Sequence, residues 1–281
     1  MIGQTELWSR LSQARLNKKF PQFAILVGEE GSGKKLLANK FVSEFWKEHY
    51  ILPDVSVDTV RKMITQAYRC TGELIYLIPD AHRMSPQAKN ALLKVVEEPP
   101  KYATFFMTVS YEQSILGTIR SRGTVYHMEN YSVSDMQQYL ISRTRDTQNE
   151  SYILSVSTNM SDIDKLLKLE INALQKHINT IIDKADVLSL ANLLKSSNLI
   201  DFKGEDEKKP DLNIFYKAVE YELYMMIKQR EHPNTIKMLA DMLTATEGFA
   251  VDVQNPAINK RYNYESWLYA MRDIEYGYRK S

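Results

Sequence analysis

Cysteine is nearly absent. Cys70 stands alone in 281 residues, so an internal disulfide and a multi-cysteine zinc site are both excluded, and the thiol content fits a reducing compartment. Excess charge is missing too: 36 Lys and Arg against 35 Asp and Glu leave a net +1. So balanced a chain does not draw nucleic acid by its overall field, which argues against a stand-alone DNA-binding module with a basic stripe. No apolar run approaches the roughly 18 to 20 residues of a membrane span, and MIGQTELWSR is polar from Gln4 onward. A cytoplasmic protein without a membrane partner is expected. Glycine is scarce at 10 residues, and the lack of low-complexity tracts and internal repeats sets a solenoid aside. His49, His82, His127, His177 and His232 are too scattered to suggest a metal site. What is present is an ordinary globular composition, 44% hydrophobic and 25% charged, in a chain long enough for more than one domain.

The first half alternates between two periods. Phe23 to Val27 is a continuous apolar run ending in a glycine-rich turn, the pattern of a strand buried on both faces. Leu37, Phe41 and Phe45, with Ala38 and Val42 beside them, then predict an amphipathic helix over about 34–49. Val60 to Ile64 reads as helix and Leu74 to Ile78 as a second buried strand. Ser85 before Pro86 is an N-cap followed by a first-turn proline, and Ala88, Ala91, Leu92 and Val95 line one helix face until Pro99-Pro100 ends it. Phe105 to Val109 and Val125 to Met128 complete a set of strands separated by helices, which implies a parallel α/β sheet. Cys70 reads as a small buried hydrophobe. Beyond about 130 helical spacing takes over: Val133, Met136 and Leu140; Ile163, Leu166 and Leu167; Leu188, Leu190, Leu193 and Leu194. Asp201 to Pro210 is a charged connector, and the helix after it carries Leu212, Phe215, Tyr216, Val219, Leu223, Met226 and Ile227 on one wide apolar face.

Gly28-Glu29-Glu30-Gly31-Ser32-Gly33-Lys34-Lys35 follows a buried strand and opens a helix, the context a phosphate-cradling loop requires. Glycines let the backbone N–H groups turn inward, the helix N-terminus adds partial positive charge, and Lys34 would reach the outer phosphates. The Ser or Thr whose hydroxyl would ligate Mg²⁺ is Lys35, and an ammonium has no lone pair for a metal. After the strand Leu74 to Ile78, where an ATP-hydrolysing protein places a metal-binding Asp and a water-activating Glu, stand Pro79 and Asp80. Three readings stay open: a loop of structural value only, a loop that binds ATP or ADP without turnover, and a working ATPase.

Asp80-Ala81-His82-Arg83-Met84-Ser85, then Asn90-Ala91-Leu92-Leu93-Lys94 with Glu97-Glu98-Pro99-Pro100, then Thr118-Ile119-Arg120-Ser121-Arg122, resemble the clamp-loader branch of the AAA+ ATPases. With its defective loop and Val57-Asp58-Thr59-Val60-Arg61, the chain is most similar to the delta-prime subunit family of the bacterial DNA polymerase III clamp loader. Near the end, Asn259, Tyr262, Glu265 and Trp267-Leu268 resemble the helix that closes that family's collar domain. Departures exist. His49 to Asp54 bridges the place of a four-cysteine zinc module, so no zinc is expected; the usual Ser-Arg-Cys is Ser121-Arg122-Gly123; and Thr158-Asn159-Met160-Ser161 stands where ATPase members carry a lid arginine.

The resemblance implies an α/β AAA+ core over 1–130, a helical lid over 131–172 and an all-α collar or oligomerisation domain over 173–281. It also implies a hetero-pentamer with other clamp-loader subunits, acting on a sliding clamp and, through the complex, on primed DNA. Arg122 is then the residue supplied in trans to a neighbour's ATP site, with Arg120 assigned to structural or surface duty. Gly28, Gly31, Ser32, Gly33, Lys34 and Lys35 form a degenerate phosphate loop, and Asp80 a degenerate acidic motif. The expected function is that of a non-hydrolysing scaffold without independent ATPase activity. The alternative is an active or nucleotide-binding AAA+ subunit of a clamp loader or another replication motor.

Overall fold

The computed structural model describes residues 2–145, 148–184, 196–203, 205–253, 255 and 257–280. Two compact units divide the chain, residues 1–139 and 140–281. The expected leucines at 188, 190, 193 and 194, and Gly204 of the connector, lie outside the described residues.

In the first unit α1 (Thr5–Leu16) precedes a regular alternation of strand and helix: β1 (Phe23–Val27), α2 (Lys34–Phe45), β2 (His49–Ile51), α3 (Val57–Arg69), β3 (Leu74–Ile78), α4 (Pro86–Glu97), β4 (Ala103–Val109), α5 (Gly117–Arg122) and β5 (Thr124–His127). The strands form one parallel sheet in the order β2-β3-β4-β1-β5. Side chains alternate between its faces. Phe23, Ile25, Val27, Tyr76, Ile78, Phe105 and Met107 meet Val60, Met63, Leu92, Val95 and Ile119 of α3, α4 and α5. Ala24, Leu26, Ile75, Leu77 and Phe106 meet Leu7, Leu11, Leu37, Phe41 and Val42 of α1 and α2 on the other. Every residue of β1 is buried, which is why the strand reads as an unbroken apolar run. The chain leaves β1 outward to β2 and returns through β3 and β4, crossing beyond β1 to β5, so its direction reverses beside β1. The crevice at the carboxyl ends of the strands opens at such a point.

Ser85 caps α4 as expected, its side chain accepting from the Ala88 N–H, with Pro86 in the first turn. Two expectations are corrected. The helix expected over about 34–49 ends at Phe45, because Trp46 turns to extended backbone and its ring packs against Phe20 and Phe41. The residues beyond become β2, a three-residue edge strand whose side chains are all exposed, so no apolar alternation announces it. Cys70 is half-buried rather than buried, its Sγ 3.0 Å from the Ala67 carbonyl oxygen at the end of α3.

Helix α6 (Val133–Arg143) runs across the boundary, and the second unit continues with α7 (Glu150–Val156), α8 (Met160–Leu166), α9 (Ile171–Lys184), α10 (Leu212–Gln229), α11 (Pro233–Asp252) and α12 (Lys260–Lys280). No named strand occurs among its described residues. Helices α7, α8 and α9 all pack against α10. The wide apolar face of α10 is core at Leu212, Phe215, Tyr216, Val219 and Leu223 and only half-buried at Met226 and Ile227. Its centre is aromatic: Phe215, Tyr216, Tyr264 and Trp267 are fully buried, with ring centroids 5.4 to 5.9 Å apart. Their polar atoms are satisfied there, Trp267 donating to Thr246 Oγ1 at 3.0 Å and Tyr216 to Asn263 Oδ1 at 2.7 Å, as burial demands. No described helix is long and apolar enough to cross a membrane.

His177 of α9 faces Phe215, and its Nε2 is buried without a partner. Burial holds the imidazole below its ordinary pKa. The unfolded chain therefore takes up this proton near pH 6.5, before the folded one does, so acidification favours unfolding. Thermal stability should fall as pH drops from about 7 to 5, and His177→Leu should make that fall shallower, as read from melting temperatures across the range.

Candidate functional site

Strand β1 is followed by Gly28, whose N–H donates to Val109 O of β4 at 3.1 Å, and the loop then crosses the carboxyl end of the sheet. A Cβ at Gly28 would come within 2.5 Å of Met128 Cγ and 2.7 Å of Ser32 Oγ, so no side chain fits there. Gly33 adopts φ +79°, the left-handed conformation that glycine takes without steric cost, and turns the chain into α2. Tyr131 donates to Ser32 O at 2.6 Å and pins the loop from one side.

Lys34 is 4% exposed, and its Nζ donates to Glu29 O at 3.1 Å. Burial lowers its pKa, opposed by the carboxylates of Asp80 and Glu30. Lys35 forms an ion pair with Asp80. Arg83 reaches Glu30 at 3.2 Å and Asp80 at 4.0 Å. The structure thus brings the loop 28–35 and Asp80 together and joins them through the Lys35 ammonium. A divalent cation does not fit this donor set, because position 35 offers no lone pair and the carboxylate at position 80 is already held by that ammonium.

Asp80 has φ +50°, a left-handed conformation that aspartate tolerates better than most residues, and its N–H donates to Thr108 Oγ1 at 3.0 Å. Thr108 is fully buried on β4, the one polar side chain in Phe105-Phe106-Met107-Thr108-Val109. Sequence reasoning passed over it, although a lone hydroxyl in an apolar strand needs a partner. His82, which the sequence sets aside as a metal ligand, lies close by in the chain. Its Nε2 lies 3.4 Å from Ser110 Oγ, its Nδ1 is buried without a partner, and burial lowers its pKa.

Arg122 ends α5 with its side chain exposed and makes no hydrogen bond or ion pair among the described residues. Arg120, two residues earlier, lies 3.5 Å from Glu112, which also meets His127 Nε2 at 3.2 Å. The next residue, Gly123, is required by packing, since a Cβ there would fall 2.9 Å from Ile25 Cδ1. Arg122 comes two residues before Thr124, which pairs with Ala24 at the start of β1, whereas the loop begins four residues further on at Gly28. That is about 13 Å of strand, so Arg122 sits toward the opposite end of the sheet from its own phosphate loop.

In the second unit Thr158-Asn159-Met160-Ser161 is a helix start: Asn159 accepts from the Asp162 N–H at 3.1 Å, and Asp162 pairs with Lys217 at 2.6 Å. The stretch is committed to capping α8, and the cation beside it is taken. One substitution tests the framework of the loop site. Thr108→Val keeps the shape but leaves the Asp80 N–H without its acceptor, at a cost of about 1–3 kcal/mol in urea denaturation, while Thr108→Ser should retain most of the stability.

A sequence profile of the family described as DNA polymerase III, delta subunit, matches residues 53–132. The DNA polymerase III subunit tau/gamma of Haemophilus influenzae is 36% identical over 66 residues, 24% of this chain and 10% of that protein. The DNA polymerase III subunit delta' of Buchnera aphidicola is 22% identical over 227 residues, 79% of this chain and 65% of that protein. Across four of the curated relatives the match spans 10%, 45%, 27% and 58% of the relative's own length. Among solved structures, a DNA polymerase III gamma-subunit-related protein of Thermotoga maritima shares the fold at a TM-score of 0.50 and 15% identity, over 94% of this chain and 99% of that one. The matched profile takes in Asp80, the capped helix after it and Arg122, so the chain is similar over this stretch to the DNA polymerase III delta family.

Proposed function

We propose that this chain is a delta-prime-like subunit of a clamp loader, a scaffold that does not hydrolyse ATP and lends Arg122 to the ATP site of a neighbouring subunit. The observation that carries the reading is the placement of Arg122. It is exposed and unpaired among the described residues, it stands toward the far end of the sheet from its own loop, and its neighbour Arg120 is held by Glu112. A planar, permanently charged guanidinium left free in this way suits the charge that spreads over phosphate oxygens during transfer. Support for a silent own site comes from Lys35, which removes the metal-ligating hydroxyl, and from Pro79, which can neither bind a metal nor accept a proton.

The division of labour follows the same reading: residues 1–130 as the AAA+ core, 131–172 as a lid and 173–281 as a collar that holds the complex together. Other clamp-loader subunits in a hetero-pentamer, a sliding clamp and primed DNA reached through the complex are the partners, in a cytoplasmic setting. A collar needs an outward face. On α12, Tyr262, Tyr269 and Tyr276 are 71%, 43% and 52% exposed at seven-residue spacing, one stripe of large aromatic surface of the kind that interfaces favour. Deleting 173–281 would be a poor test, since it strips α7 and α8 of the helix they pack against. Substituting the three tyrosines by serine leaves the core intact and should weaken assembly at least about tenfold, each aromatic anchor being worth roughly 1 kcal/mol or more; sedimentation with the partner subunits reads it out.

Arg122→Ala should leave folding and assembly nearly intact, because an exposed arginine contributes little to stability. At the one neighbouring site it serves, phosphoryl transfer should drop about 10³- to 10⁵-fold, so total ATPase falls in part and clamp loading falls further. Arg120→Ala should be milder on loading at equal assembly. Unchanged loading by Arg122→Ala in the reconstituted complex, or a loss that merely tracks unfolding, returns Arg122 to a surface role.

A further inference from the structure

We infer that Glu112 is a positioning residue for Arg122: its carboxylate, held by His127 of the sheet, holds Arg120 in turn and so fixes the rotation of α5, which sets the direction in which Arg122 leaves the helix. The inference rests on the proposed role of Arg122 and adds the means by which the chain keeps that side chain in place.

Helix α5 does not hold its own orientation. It has six residues, Gly117–Arg122, and no side-chain cap at its start, and a helix so short is unstable without tertiary contacts. Ile119, 1% exposed, is its one buried residue. A single buried side chain fixes where the helix lies and restrains its roll only weakly. Among the described residues one side-chain polar link joins α5 to another element, Arg120 Nη1 to Glu112 Oε1 at 3.5 Å. At 3.6 residues per turn, Arg120 leaves the helix about 100° to one side of Ile119 and Arg122 about 60° to the other. Ile119 in the core and Arg120 on Glu112 are therefore two fixed points, and two points define the roll.

Glu112 is itself well anchored. Its two oxygens are used separately, Oε1 by Arg120 and Oε2 by His127 Nε2 at 3.2 Å. A carboxylate only accepts, so Nε2 carries the proton. His127 ends β5 and pairs with Val27, the last residue of the buried β1, so the register of the sheet places it. Glu112 opens a short turn, Glu112–Ser114, in which Ser114 Oγ donates to Tyr111 O at 2.6 Å and after which Ile115 enters the core. Exposed ion pairs contribute little to stability, yet a misplacement of about 1 Å at a reacting group can cost about 100-fold in rate. The link therefore matters for placement far more than for folding.

Two measurements test the inference. In the full chain carrying Cys70→Ala and Arg122→Cys, a nitroxide attached at position 122 should move at least about twofold faster on the nanosecond scale when Glu112→Ala is added, and likewise with Arg120→Ala, at unchanged melting temperature. In the reconstituted complex, with Arg122 intact, Glu112→Ala should lower the maximal clamp-loading rate at least about threefold, with assembly and the half-saturating ATP concentration unchanged. Arg120→Ala should lower it as much, and the double variant no further, because both act through one link. Unchanged nitroxide mobility, additive losses in the double variant, or a loss that tracks melting temperature or assembly overturns the inference. If Arg122→Ala itself loads normally, the reading of Arg122 fails, and the nitroxide result still decides whether Glu112 fixes α5.

Discussion

Complete burial of β1 between β4 and β5 governs the rest of the first unit. A strand covered on both faces and paired on both edges leaves polar chemistry to its ends, and here the two ends acquire different tasks. At the carboxyl end the chain must turn at Gly28 under Met128 and enter α2 through Gly33. At the amino end the register of β5 sets Thr124, two residues after Arg122, beside Ala24. Parallel pairing alone therefore separates the loop that could hold a phosphate from the arginine that could act on one.

The polar residues embedded in the apolar shell form one linked set. Thr108, fully buried on β4, holds the backbone of Asp80 in a left-handed turn, Asp80 holds Lys35, and Lys35 opens the helix that carries the loop. In a hydrolysing relative of this loop the corresponding connection would run through a metal; in this chain it is covalent at one end.

Most of this was legible where the signal is an uninterrupted pattern. The apolar run Phe23 to Val27, the glycines of the loop, and Ser85 with Pro86 each have one economical folded form, and the chain adopts it. The failures share a cause. Strand β2 has no buried side chain, so it exists only through pairing with β3 and leaves no trace in hydrophobic periodicity. The expected end of α2 runs past Phe45 because no proline or glycine stands between Trp46 and His49 to mark the point where the backbone leaves the helix. Thr108 and His82 needed the fold to reveal their partners, which lie 28 residues away in sequence. The contrast between Arg120 and Arg122 was stated from the motif, and the structure adds its reason: Glu112 reaches one and not the other.

The central claim is the proposal that Arg122 acts on a nucleotide held by a neighbouring subunit. Cryo-electron microscopy of the reconstituted complex with a non-hydrolysable ATP analogue and sliding clamp measures this directly. The account requires the Arg122 guanidinium within hydrogen-bonding distance, about 3 Å, of the terminal phosphate held by the adjacent subunit, with no divalent cation in this chain's own loop. An Arg122 turned to solvent at every subunit boundary, or a metal-bound nucleotide between Lys35 and Asp80, would contradict it.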